Sequence, residues 1–236
     1  MLILSIDTAT LVSSVAVATE AQLLAELTTE TRLTHSETLL PHIKEVLELA
    51  GTVKEELDAV AISIGPGSFT GLRIGLAAAK ALCYTLNIPI IAVPTLEAMA
   101  ARFPVAGVRV YPLLDAQKGN VYRAVYSWQN DAPVCLKDIA VLPLETVLAE
   151  CEAENMPVVL TGDIVKKKQA KLTLPANVSI APPAMIMPRA AETAFLGLKR
   201  LALGQTDNVM DLEPVYIRRS EAEVLWEARR KKAAES

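Results

Sequence analysis

Residues Ile62-Ser63-Ile64-Gly65-Pro66-Gly67-Ser68-Phe69-Thr70-Gly71-Leu72-Arg73-Ile74-Gly75 end one element and begin another. The apolar run Ala59 to Ile64 reads as a buried strand, and the periodicity beyond the turn predicts a helix to about Leu86. Gly65 and Gly67 around Pro66 make a sharp bend where backbone must turn or approach something closely. Ser68 or Thr70 can cap the new helix. Gly71, Gly75, Ala79 and Cys83 recur every fourth residue, a smooth stripe on one helix face. An interior glycine costs a helix roughly 1 kcal/mol relative to alanine, so two of them imply close packing or a site. A mononucleotide P-loop is excluded, because the required lysine and hydroxyl are missing. A dinucleotide fingerprint fits loosely, since the third glycine falls one place late at Gly71.

Working outward, the pattern occurs twice. Leu2 to Asp7, Ser13 to Ala18 and Leu23 to Thr29 read as strands, followed by a helix near Thr38 to Ala50, the Ala59 to Ile64 strand and the long helix. Ile88 to Val93 adds a strand and Thr95 to Arg102 a short helix. The order then restarts with strands at Val108 to Leu114, Val121 to Trp128 and Val134 to Val141. A helix at Leu144 to Glu152, a strand at Val158 to Thr161, and helices near Val165 to Leu172 and Arg189 to Leu203 follow. A strand meander followed by alternating helix and strand is the ribonuclease H-like arrangement. Two in tandem predict an α/β protein with two ribonuclease H-like lobes, resembling the actin, Hsp70 and sugar-kinase superfold. The expected division is an N-terminal lobe at 1–103, a C-terminal lobe at 104–217 and a charged tail at 218–236.

Composition narrows the class. With 236 residues, 52% hydrophobic and 4% aromatic, the chain has material for an aliphatic core. A net charge of −4 argues against a surface built chiefly for nucleic acid. No apolar run reaches membrane-spanning length, and the chain starts directly on a strand pattern, so a cytoplasmic protein without a membrane partner is expected. Cys83, Cys135 and Cys151 are odd in number and lack C-x-x-C spacing, which reads as reduced structural cysteine.

The glycine turn, the opening Met1-Leu-Ile-Leu-Ser-Ile-Asp7-Thr8-Ala9-Thr10 and His35-Ser36-Glu37-x-Leu39-Leu40-Pro41 together resemble the bacterial TsaB (YeaZ) family. The similarity continues through Asp115-Ala-x-Lys-Gly119-x-Val-Tyr122 and Pro214-x-Tyr216-x-Arg218, essentially the whole chain. The resemblance implies a noncatalytic, activating subunit of the complex that forms N6-threonylcarbamoyladenosine (t6A) at position 37 of tRNAs. Its implied partners are a homologous catalytic threonylcarbamoyltransferase subunit of the TsaD type, a small P-loop ATPase of the TsaE type, tRNA through the complex, and a second copy of itself. ATP and metal would belong to those partners, leaving no cofactor assigned to this chain.

Asp7 and Asp115 end equivalent first strands, the positions that flank a nucleotide and its metal in the superfold. The hairpin residues Thr8 and Thr10 complete the vestigial nucleotide-site candidates. No glycine or lysine follows Asp7, and Gly162 stands alone where a glycine pair is expected, so few backbone amides are free for phosphate. The plainer reading has both aspartates capping strand-end turns. A nucleotide-dependent phosphotransferase using Asp7 and Asp115 is the alternative function.

His35 and His42 lie seven residues apart, about 10 Å along a helix and too far for one ion, so no metal site is assigned. Leu39, Leu40, Ile43, Val46, Leu47 and Ala50 form an apolar helix stripe, which is either buried on the protein's own sheet or offered to a partner. Pro41 suits that helix without losing a hydrogen bond only if the helix begins near Thr38. In the resembled family this helix and the glycine-stripe helix pair with their counterparts in the catalytic subunit. The implied interface is His35, Glu37, Leu39, Leu40, Ile43, Val46, Leu47, Gly71, Leu72, Gly75 and Ala79. Arg73 reads equally as an anion ligand or a snorkelling side chain. No nucleophile and base pair emerges, since Gly67-Ser68-Phe69 lacks the Gly-x-Ser-x-Gly elbow. In the tail, Val224, Leu225 and Trp226 precede the basic run Arg229 to Lys232, a solvated helix or an anchor touching tRNA phosphates.

Overall fold

The computed structural model describes residues 1–30 and 35–217. The expectations for the charged tail, Trp226 and Arg229 to Lys232 included, lie outside the described residues. The first half contains β1 (Leu2–Asp7), β2 (Val12–Thr19), β3 (Leu23–Glu30), α1 (His35–Ala50), β4 (Ala59–Ser63), α2 (Phe69–Leu86), β5 (Ile90–Val93) and α3 (Thr95–Ala101). The second contains β6 (Arg109–Asp115), β7 (Asn120–Gln129), β8 (Ala132–Pro143), α4 (Leu144–Glu152), β9 (Val158–Thr161), α5 (Asp163–Lys168), β10 (Val178–Ile180) and α6 (Ala190–Ala202).

The two halves share one topology. The first sheet runs β3-β2-β1-β4-β5 and the second, read the same way, β8-β7-β6-β9-β10. In each, the first three strands are antiparallel, and the fourth and fifth join parallel to the first. That is the ribonuclease H-like order, twice. The short strand β10 and the early start of α5 escape the sequence pattern, because three residues show too little periodicity to register.

Strand β1 is buried on both faces, which explains its unbroken apolar character. Leu4 and Ile6 pack toward α1 and α2 with Leu39, Ile43, Val46 and Leu76. Ile3 points the other way, into a cluster with Ala61, Ala194 and Leu198 of α6. Gly197 allows that approach, since a Cβ there would stand 2.7 Å from the Ala61 Cβ.

The halves exchange their last helices. Leu96, Met99 and Ala100 of α3 join the core of the second sheet with Tyr111, Leu113 and Val125. In return α6 covers the first sheet. Two Arg–Glu pairs hold the exchanged helices together: Arg102 donates from Nε and Nη2 to Glu192 at 2.8 and 2.7 Å, and Arg200 donates from Nη2 to both Glu97 oxygens at 2.8 Å. Each half's last helix therefore belongs to the core of the other half's sheet.

Helix α1 starts at His35, not near Thr38, which makes Pro41 its seventh residue. Pro41 has no N–H for the carbonyl of Glu37, a loss the helix carries because Leu39, Ile43, Val46 and Leu47 are all buried beneath it.

Candidate functional site

The glycine turn is built around the β1–β2 hairpin. Ser68 caps α2 by accepting from the Gly71 amide at 3.2 Å, and its own amide donates to the Ala9 carbonyl at 2.7 Å. The Thr8 hydroxyl donates to the Gly71 carbonyl at 2.8 Å. A Cβ on Gly67 would overlap the Ala9 carbonyl, one on Gly71 the Thr8 carbonyl, and one on Gly75 the Thr8 hydroxyl. The stripe therefore lets α2 lie directly on the hairpin that follows Asp7. Thr95 and Val215 close the other side of the turn, with hydrogen bonds from the Thr95 amide to Gly65 (2.9 Å) and from the Val215 amide to Ile64 (2.8 Å). The Gly65–Pro66 peptide is cis.

The two aspartates share a local geometry but not a site. Asp7 accepts from the Ala9 amide at 3.1 Å and Asp115 from the Gln117 amide at 2.8 Å, each two residues on. Asp7 is fully buried and also accepts from the Ser63 hydroxyl. Burial pushes its carboxyl up to about 6, against the lowering effect of those two donors. Asp115 instead lines a cleft of about 570 Å³ between the lobes, with Thr10, Ser68, Phe69, Thr70 and Lys167. Lys167 pairs with Asp115 and Asp163 at 3.1 Å each, and those carboxylates with their hydrogen bonds keep its ammonium raised despite partial burial. Asp7 is not among the residues lining that cleft, so the structure brings Thr10 and the signature turn to Asp115 while Asp7 stays below.

His35 donates from Nε2 to the Thr10 carbonyl at 2.7 Å, and His42 Nδ1 lies 3.4 Å from the Ser13 hydroxyl. Each histidine thus ties α1 to the hairpin strands. Among the described residues, no three His, Cys, Asp or Glu side chains are grouped to hold a metal.

The expected interface residues divide sharply. Leu39, Ile43, Val46, Leu47, Gly71, Leu72, Gly75 and Ala79 are buried in this chain's own interior, because the sheet below needs an apolar cover. Leu40, by contrast, is 65% exposed, and Glu37 is also on the surface. Outside the buried stripe lies an apolar groove of about 510 Å³ between α1 and α2. Ile74, Ala77, Ala78, Ala81 and Leu82 form its α2 wall, with Leu40 and His35 on the α1 side. None of these α2 wall residues belongs to the glycine stripe. The wall's signal is a second set of small and apolar residues at helical spacing, with Ile74, Ala78 and Leu82 each one residue before a member of the glycine stripe.

Arg73 stands at the outer edge of α2. Its guanidinium carbon lies 3.9 Å from the Phe69 ring centroid and 5.7 Å from that of Tyr216, and its Nε donates to the Tyr216 hydroxyl at 2.9 Å. The rings are themselves 4.8 Å apart.

Residues 22–226 match the model of the family described as TsaD, tRNA N6-adenosine threonylcarbamoyltransferase. The tRNA threonylcarbamoyladenosine biosynthesis protein TsaB of Bacillus subtilis is 32% identical over 96% of this chain and 98% of its own length. The protein of the same description from Escherichia coli is 31% identical over 94% and 96%. In three dimensions, YeaZ from Pseudomonas aeruginosa superimposes with a TM-score of 0.76 at 28% identity, covering 92% of this chain and 99% of that one.

Proposed function

The chain belongs to the TsaB (YeaZ) family of t6A biosynthesis proteins, and from that premise we propose that it is the noncatalytic, activating subunit of the t6A-forming complex. In this reading it docks on a homologous TsaD-type transferase and holds it in its active shape. A TsaE-type ATPase assists the pair, which meets tRNA in the cytoplasm. No helix among the described residues is long and apolar enough to cross a membrane.

One observation carries the proposal. The groove between α1 and α2 is apolar, open and flanked by the exposed Leu40, the form of surface that another helix pair covers. The chemistry inside the chain points the same way. Asp7 is committed to Ser63 and Ala9, and the Ser68 hydroxyl to the α2 cap. In the first-lobe hairpin, where a phosphate would lie in a kinase of this superfold, the Thr8 hydroxyl is taken by the Gly71 carbonyl and the Ala9 carbonyl by the Ser68 amide. Activation then means binding the competent shape of the transferase better than its idle shape.

The test is copurification and sizing with the TsaD-type subunit from the same cell, using the wild-type chain and Ala81→Glu in the exposed groove wall. A complex lost only in the variant supports the reading. A homodimer in place of the complex assigns the groove to a second copy. If the wild type forms no complex, the proposal falls, and saturable ATP binding with a metal requirement would establish the phosphotransferase alternative.

A further inference from the structure

The charges on the two helices that wall the groove differ in sign, with Glu37, Glu45 and Glu48 against Lys44 on α1. The net charge of the chain is −4, yet α2 carries Arg73 and Lys80 and not one carboxylate along its 18 residues. No carboxylate lines the groove either, where Lys54 is the charged lining residue. Lys80 is occupied, donating to the Met210 carbonyl at 2.9 Å.

Arg73 is presented differently. Its planar face rests on Phe69 and near Tyr216, and Nε is held by the Tyr216 hydroxyl. Neither Nη group has a hydrogen-bond or ion-pair partner among the described residues. A guanidinium whose face is stacked directs its remaining in-plane donors outward as a fork, the geometry that matches a carboxylate. The stack also removes side-chain freedom in advance, so less is lost when a partner binds. Ile74, the next residue, already lines the groove. Phe69 and Tyr216 line the interlobe cleft, so Arg73 stands on α2 between groove and cleft, where a body extending from the groove across the exposed face of α2 meets the fork.

We propose that Arg73 is the polar specificity determinant of this surface, receiving an Asp or Glu carboxylate from the protein docked on the α1–α2 groove. The proposal rests on the partner-subunit reading above and names the chemistry by which the partner is chosen. Phe69 and Tyr216 act as positioning residues for the fork. The apolar groove supplies contact area, and the fork rejects surfaces that would leave either charge unpaired.

The test measures affinity of the TsaD-type subunit for the wild-type chain and for Arg73→Lys, Arg73→Met and Tyr216→Phe. Melting temperatures confirm that these surface variants fold. Arg73→Lys keeps the charge but not the fork, and should weaken binding about tenfold to a hundredfold, with Arg73→Met at least as severe. Tyr216→Phe should fall between these and wild type. Asp and Glu residues of the transferase are then changed one at a time to Asn and Gln. One of them should be non-additive with Arg73→Met, a coupling that a merely structural role would not produce. Wild-type affinity in Arg73→Lys, or no coupled carboxylate, overturns the proposal while the complex itself still stands. Normal assembly with weakened tRNA binding by the assembled complex assigns the fork to phosphate and equally overturns it. A wild-type chain that forms no complex overturns the partner reading as well.

Discussion

Thr8 and Gly71 lie in direct contact: the Thr8 hydroxyl donates to the Gly71 carbonyl at 2.8 Å, and the Thr8 carbonyl occupies the space a Gly71 side chain would need. Through this contact the start of α2 is seated on the hairpin that follows Asp7. The hairpin in turn holds α1, by way of Thr10 and His35. Both helices that wall the groove are thus anchored to one four-residue turn.

Gly71→Ala should destabilise the protein by about 2–3 kcal/mol, because backbone rather than a flexible side chain must move to admit the methyl group. The roughly 1 kcal/mol of helix propensity that alanine adds does not offset this. Thermal melting checks it. A midpoint equal to or above wild type would show that the hairpin yields easily.

Two neighbouring substitutions on α1 should separate stability from association. Leu40 is 65% exposed and Ile43 is 5% exposed. Leu40→Glu should stay within about 0.5 kcal/mol of wild-type stability, yet reduce binding of the transferase subunit. Ile43→Glu should cost more than about 4 kcal/mol, since it puts a charge into the core. Melting curves and sizing on the same samples read both quantities.

Asp7 gives a pH dependence of unusual sign. Burial raises its folded-state value to about 6, with Glu192 adding to the rise and Ser63, Ala9 and His35 opposing it. The unfolded carboxyl titrates near its ordinary value of about 3.9, so between these limits the folded chain holds a proton the unfolded chain has released. The Asp7 contribution is therefore most favourable below about pH 4, declines as pH rises to about 6, and is constant above that. Two pH units correspond to about 3 kcal/mol. Asp7→Asn should lack this component. Denaturant midpoints of both proteins from pH 4 to 7 should diverge across that window, and parallel curves would refute the assignment.

The fork between Arg102 and Glu192 ties α3 to α6 with side chains 8% and 19% exposed. Arg102→Met leaves the Glu192 carboxylate without its partner and should cost about 3 kcal/mol. Adding Glu192→Met should recover a large share of that loss, because the unpaired charge is then gone as well. Equal stability of the single and double variants in chemical unfolding would contradict the pairing.

Much of the architecture was legible along the chain. The runs Leu2 to Asp7, Leu144 to Glu152 and Val158 to Thr161 coincide with β1, α4 and β9, and the repeated order of elements matches the two sheets. Such segments are readable because burial against one neighbour imposes a local period of 2 or 3.6 residues. The capping ability of Ser68 and the small stripe at Gly71 and Gly75 are local properties of the same kind.

What lies against those segments was decided only by the tertiary structure. Nothing local distinguishes Leu39, under the sheet-facing side of α1, from Leu40 on its surface, since both are leucines in an apolar stretch. Likewise Asp7 and Asp115 end equivalent strands and make the same two-residue turn. One is sealed by Ser63 on the sheet face that α6 covers, and the other opens into the interlobe cleft. The exchange of α3 and α6, and the contact of Arg73 with Tyr216, join parts of the chain about 100 or more residues apart. By itself the sequence determined which segments are helix or strand and how often the pattern repeats, because those depend on near neighbours. Packing alone assigned each face to core, cleft or open groove, because exposure is a property of the assembled layers.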